Sequence, residues 1–304
     1  MVTSTFCTQM SDKDDIIDLL DDFSIELTPK IALSHQDLRS LLKKGQRIYI
    51  TCLPESSIAH TLEACMHLLK QGFKVIPHIA ARSIESDEQL GGVLKRLQHL
   101  NIKEVLLIAG VQKIPKGPYS SVRDLLLAYD FASYGITNLS FAGHPEGSLD
   151  ISLQALMQAA QFKQNYVQTH QLSGSLTTQF CFEAQPIIHW LELLHQNNIQ
   201  LPVYIGVAGL ASTTTLLNYA KACGVGSSIN YLLRHGASVK NLLHLRTPDK
   251  LIFQLASYKK QQRETTSLSR LHFYPFGGLS ETMNWLNTIC AGHFTMIKNG
   301  LHVG

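Results

Sequence analysis

Short apolar runs alternate with stretches of helical apolar spacing along nearly all of this chain, and that alternation restricts the fold more than any other feature. The runs are Phe23–Leu27, Arg47–Cys52, Lys74–His78, Glu104–Ala109, Asn138–Ala142, Ser175–Phe180, Pro202–Gly206 and Arg270–Tyr274. They are apolar on both faces, as strands of a parallel sheet covered by helices must be. Between them the spacing predicts helices over Ser34–Lys43, Ser57–Lys70, Ser86–His99, Ser120–Ser133, Leu149–Thr169, Pro186–Asn197, Ser212–Cys223 and Ser280–Cys290. A longer helical stretch from Ser227 to Gln262 carries breaks near Gly236 and Pro248, and Asp12–Leu20 reads as a short acidic helix ahead of the first strand. Eight strand–helix units in 304 residues point to a closed (β/α)8 barrel of the TIM type, an α/β single domain over residues 22–304 after an N-terminal extension of residues 1–21. An open doubly wound sheet is the alternative. No G-x-G-x-x-G follows the first strand, which argues against a dinucleotide-binding Rossmann domain.

Composition removes several function classes. The formal charge is +3 with Lys and Arg scattered, so no basic stripe for nucleic acid is expected. The N-terminus lacks a basic region followed by a long apolar run, and no apolar run reaches bilayer length. No membrane association is expected, and a cytoplasmic location is. The six cysteines are dispersed without C-x-x-C pairs or a zinc-spaced His cluster, which fits a reducing compartment and predicts no metal site. The outer helices carry charges that solvent or a second copy could pair, so a homo-oligomer stays open.

The chemistry of such a barrel sits at the C-terminal ends of its strands. Those ends, in order, are Glu26, Thr51, His78, Gly110, His144, Gln179, Gly206 and Tyr274. Glu26 stands out, because it lies between Ile25 and Leu27 just before Pro29, which cannot extend a ladder. A lone carboxylate among apolar neighbours is costly without a partner or a task. For that one residue a salt-bridged surface Glu is the blander account. Gly110 and Gly206 would let a planar ligand approach the backbone.

Six of these segments, in order, resemble the methylenetetrahydrofolate reductase family. F-S-I-E-L-T-P-K resembles the family's S-F-E-F-F-P-P-K, and R-I-Y-I-T-C its V-T-Y strand. V-I-P-H resembles A-P-H, and F-A-G-H-P-E-G resembles A-x-Y-P-E-x-H-P. T-T-Q-F-C-F-E resembles I-T-Q-F-F-F-D, and L-H-F-Y-P-F-G-G-L the closing H-F-Y-T-L-N. The similarity runs from Ile25 to Trp285. It implies a flavin enzyme in which FAD lies across the mouth, with NADH or NADPH as a transient electron donor. Hydride transfer through the flavin then converts 5,10-methylenetetrahydrofolate to 5-methyltetrahydrofolate. It also implies roles by position: Glu26 as the acid that protonates the departing nitrogen, Gln179 on the pterin amide edge, and Tyr219 packing on the folate substrate. Thr51, His78, Ala109, Gly110, Val111, Gly143 and His144 would line FAD, and Lys163 would meet its phosphates. Against these roles stand ordinary ones: His144 as a satisfied core histidine, Lys163 on a solvated helix face, Tyr219 in the core.

The fourth strand departs from the family pattern. Where the family has L-R-G-D, this chain has Ala109, Gly110 and Val111, so the acid beside the flavin is replaced by valine. The second histidine of the H-P turn is absent, and Pro275-Phe276-Gly277-Gly278 replaces T-L-N. Losing a negative charge beside the flavin favours its anionic reduced form and raises its potential. The chain can therefore be read as a reductase with Gln112 or another group in place of the acid. It can also be read as a relative that oxidises methyltetrahydrofolate, as a non-catalytic flavin- or folate-binding module, or as a flavin-free pterin methyl-transfer barrel.

Overall fold

The computed structural model describes residues 12–52, 57–148, 150–223, 245–262, 265–298 and 300–303. Eight parallel strands close into a barrel in sequence order: β1 Ser24–Leu27, β2 Arg47–Ile50, β3 Lys74–Ala80, β4 Glu104–Ile108, β5 Asn138–Gly143, β6 Ser173–Cys181, β7 Val203–Ala208 and β8 Leu268–Tyr274. Closure comes from β8 pairing with β1, with Ser24 opposite His272. The helices are α1 Lys13–Leu20, α2 Pro29–Ser34, α3 Ile58–Lys70, α4 Asp87–His99, α5 Val122–Ala128, α6 Leu153–Thr169, α7 Ala184–Gln196, α8 Thr213–Cys223, α9 Asp249–Gln261 and α10 Leu279–Cys290. The barrel and its single-domain reading stand, and the open sheet is excluded by closure.

Local chemistry explains the boundaries. Ser57, Ser86, Ser121 and Ser152 cap α3, α4, α5 and α6, each accepting from a backbone N–H in the first turn. The helix expected over Ser34–Lys43 is displaced. It starts at once after β1, with Thr28 as cap and Pro29 at its first position, and ends at Ser34. The following segment makes only a single turn, in which Leu42 N–H donates to Leu38 O, while Leu38 N–H is held by the Gln71 side chain. Helix α5 stops at Ala128 because Tyr129 is extended, its hydroxyl donating to Asp87 O and its carbonyl accepting from Tyr166. Much of the stretch expected as helix between Ser227 and Gln262 lies outside the described residues; its end is α9. A C-terminal ribbon, Thr295–Ile297 with Gly300–His302, was not expected.

The main core lies between barrel and helices. Ile25 and Leu27 of β1, Val75 and Ile79 of β3, and Leu271 and Phe273 of β8 all point into it. Alternation then turns Ser24, Glu26, His78, His272 and Tyr274 to the inside. The inside is unusually polar. Ser140 bonds Thr177 at 2.7 Å and accepts from Ser175, and Arg47 pairs with Glu104. Among the described residues Tyr49, Ile76 and Leu106 form an apolar cluster there. Cys52, Cys65, Cys181 and Cys290 are free thiols, and burial pushes the Cys65 thiol up to about 12. Among the described residues no helix is long and apolar enough to cross a membrane, and no cluster of His, Cys, Asp and Glu could hold a metal ion.

Candidate active site at the barrel mouth

Glu26 is the only acid that these strand ends bring inside the mouth among the described residues. Its Oε2 lies 3.4 Å from His78 Nε2 and 3.5 Å from His272 Nε2. Burial pushes its pKa up, and the His78 charge opposes that only in part. The two imidazoles are held neutral. Burial lowers His78, and it lowers His272 to about 3 with help from the Arg47 charge. His272 is fully enclosed, its ring edge-on to Tyr49 at 4.6 Å and to Tyr274 at 4.8 Å. The site is thus a buried carboxyl with a raised pKa and two imidazoles with lowered ones, walled by aromatic rings.

The other side of the mouth depends on a bulge. Between Thr177 and Phe180, three residues of β6 span two of β7. The Thr178 hydroxyl accepts from Gly206 N–H and donates to Gln179 O, and the Tyr274 hydroxyl caps the freed Thr178 carbonyl at 2.8 Å. A Cβ on Gly206 would meet the carbonyl oxygens of Thr178 and Gln179 at 2.5 Å. The bulge therefore takes the space at Gly206, and no ligand does. Beyond it Phe180 turns to the mouth, where it joins Tyr274, Phe276 and Phe182. Tyr219 stacks on Phe276 at 4.2 Å and remains partly exposed. The Gln179 side chain makes no hydrogen bond to a described residue, so its amide is available.

On the β2 to β5 side, Thr51 Oγ1 is buried without a partner, as is His78 Nε2 by hydrogen-bond geometry. Gly110 has φ +92°, which a side chain would strain, and Ala109 O accepts from Arg82 N–H. Val111 is 72% exposed, so the residue at the expected acid position lies in solvent. Gly143 owes its identity to packing: a Cβ there would meet the Trp190 ring at 2.8 Å. His144 opens the turn that Gly147 N–H closes, and burial with the nearby Lys163 charge lowers it to about 4. Lys163 is half-buried, its Nζ 5.5 Å from the Phe141 ring, and burial lowers it to about 8.

Sequence reasoning overlooked Ser24, Tyr49 and His272. The signal was present, because His272 is in phase with Tyr274 on one strand and Ser24 with Glu26 on another. What strand-end reading misses is the layer just below the mouth.

No protein-family model matches the chain. Among solved structures it is similar to an uncharacterized Clostridium thermocellum protein that binds two copies of 5-methyl-5,6,7,8-tetrahydrofolic acid. Identity is 12%, 90% of this chain and 99% of that chain are covered, and the TM-score is 0.57. The dihydropteroate synthase of Thermus thermophilus aligns at 12% identity over 90% and 95% of the two chains, with TM-score 0.43. The deoxyribose phosphate aldolase of Aeropyrum pernix aligns at 8% identity over 92% and 99%, with TM-score 0.42. The first of these supports the barrel fold.

Proposed function

We propose that this barrel is an FAD-dependent oxidoreductase that interconverts 5,10-methylenetetrahydrofolate and 5-methyltetrahydrofolate. The observation that carries the reading is Glu26, a buried carboxyl at the mouth, within 3.5 Å of two imidazoles, whose pKa desolvation raises. Opening the methylene bridge to an iminium ion needs a proton on the departing nitrogen. A carboxyl with a raised pKa can give that proton near neutral pH, and in the reverse direction its carboxylate takes it back. The free Gln179 amide offers one donor and one acceptor to a pterin amide edge. The stacked rings of Tyr219 and Phe276 offer an apolar face for the same heterocycle. The Clostridium thermocellum barrel, which binds methyltetrahydrofolate, supports a folate ligand at the level of shared architecture.

The residues present also fit a flavin. Thr51 Oγ1 and His78 Nε2 are buried polar atoms with no hydrogen-bond partner among the described residues, as a bound ring would need. Lys163, a cation with no acidic partner among the described residues, stands beside His144 on the same side. These groups would hold the ring and the phosphates. When bound, FAD supplies a hydride acceptor and donor, with NADH or NADPH as the transient source. The chain has no acid at position 111, where valine stands exposed to solvent, so a bound flavin is expected to have a potential at or above that of free FAD. A value well below it would argue against operation in the oxidising direction.

The first test is the visible spectrum of the purified protein, with added FAD if it is colourless, followed by anaerobic bleaching with methyltetrahydrofolate. Turnover in Glu26→Gln is expected to fall by about 10²- to 10⁴-fold with FAD content unchanged. Full activity in that variant would remove Glu26 from the mechanism. A protein that takes up methyltetrahydrofolate but never FAD would instead be a folate-binding or methyl-transfer barrel.

A further inference from the structure

Both imidazoles address the same carboxyl oxygen of Glu26, and one of them is itself held from behind. His272 Nδ1 lies 2.8 Å from the Ser24 hydroxyl, its direct partner across the β1–β8 pairing. Ser24 is fully buried, and its hydroxyl has no other partner among the described residues. A buried hydroxyl must place its hydrogen on an acceptor. Among the described residues the one acceptor bonded to it is Nδ1, so Ser24 donates and Nδ1 is the bare nitrogen. Because His272 is neutral, its one proton then sits on Nε2, 3.5 Å from Glu26 Oε2. The ring cannot turn away, being edge-on to both Tyr49 and Tyr274.

We propose that Ser24 and His272 are positioning residues that pin Glu26 through Oε2, so that Oε1 alone carries and delivers the exchangeable proton. Ser24 selects the Nε2–H tautomer of His272, and His272 anchors the carboxyl. His78 Nε2, 3.4 Å away on β3, lies against the same oxygen. Oε1 has no protein partner among the described residues and is the oxygen left to a substrate nitrogen. The consequence for catalysis rests on the proposed folate reaction, but the tautomer and the anchoring are properties of the ligand-free protein and are tested there.

The experiment is nitrogen-15 NMR of histidine-labelled protein without folate or flavin. His272 is expected to show a protonated Nε2 and a bare Nδ1. In Ser24→Ala that preference is expected to collapse to a mixture or to invert, and Ser24→Thr to restore it. The carboxyl stretch of Glu26, identified by its loss in Glu26→Gln, gives a second readout. Its pH midpoint is set by Glu26 facing His78, His272 and the Tyr49 ring, with the Arg47 charge behind His272. The midpoint is expected to rise by about one pH unit in Ser24→Ala, since losing a neutral donor disfavours the carboxylate, and to return in Ser24→Thr. A wild-type His272 protonated on Nδ1, or a Ser24→Ala protein with tautomer and midpoint unchanged, would overturn the proposal. If the tautomer holds but no folate turns over, the functional reading fails and this one stands.

Discussion

Lys163 is a charge kept where water is scarce. Its Nζ lies over the Phe141 ring, and burial alone pulls its pKa from 10.5 to about 8. The sign follows: below about pH 8 the native protein carries the buried charge at a cost, and the cost is relieved as pH rises from there toward 10.5. Lys163→Met is therefore expected to stabilise the flavin-free protein by about 1 kcal/mol in urea denaturation at pH 7. The same substitution should weaken FAD uptake by tenfold or more in a titration. A loss of stability instead would mean that the ammonium already has a partner. From the sequence Lys163 reads equally well as a solvated helix face, because helical spacing says which residues share a side but not how deep that side lies.

At the scale of elements, the β6 bulge and Gly206 form one device. Adding a methyl group at Gly206 drives a Cβ into two backbone carbonyls, which cannot rotate aside as a side chain could. Gly206→Ala is expected to cost about 2–3 kcal/mol, read as a lowered urea midpoint. The Tyr274 contact to Thr178 O should loosen with it. A neutral substitution would mean that the ladder can re-register without the extra residue. Nothing in T-T-Q-F-C-F announces a bulge, since it arises from how β6 must meet β7. The strand ends were nonetheless legible, because Pro29, Gly110 and the serine caps act through local backbone chemistry.

The whole molecule stores its pH response in buried imidazoles. His272 and His144 have native values near 3 and 4, and His78 is lowered as well, whereas the unfolded chain titrates near 6.5. Below about pH 6.5 the unfolded state takes up protons that the native state refuses. Each of these histidines then removes about 1.4 kcal/mol of stability per pH unit as pH falls, until its own native value is reached. Glu26 works in the opposite sense: its raised value favours the native state while it stays protonated, and that contribution is lost as pH rises from 4.5 through the native value. Urea midpoints measured from pH 7 to pH 5 should therefore fall steeply, and His272→Gln should flatten the slope. A midpoint insensitive to pH in that range would mean that the imidazoles are solvated.

The sequence by itself determined the barrel, the order of its strands and the acid at its mouth. Burial on both strand faces, the strand–helix period and proline or serine punctuation are local properties with a single global solution at eight units. Only the tertiary structure decided which polar groups meet. His78 comes from β3 and His272 from β8, and the closure of β8 on β1 sets His272, with Ser24 behind it, against Glu26. It also decided that Gly143 makes room for Trp190, that Gly206 accommodates a bulge, and that Val111 stands in solvent. Distances across a barrel depend on stagger and on bulges, which no local pattern of residues records.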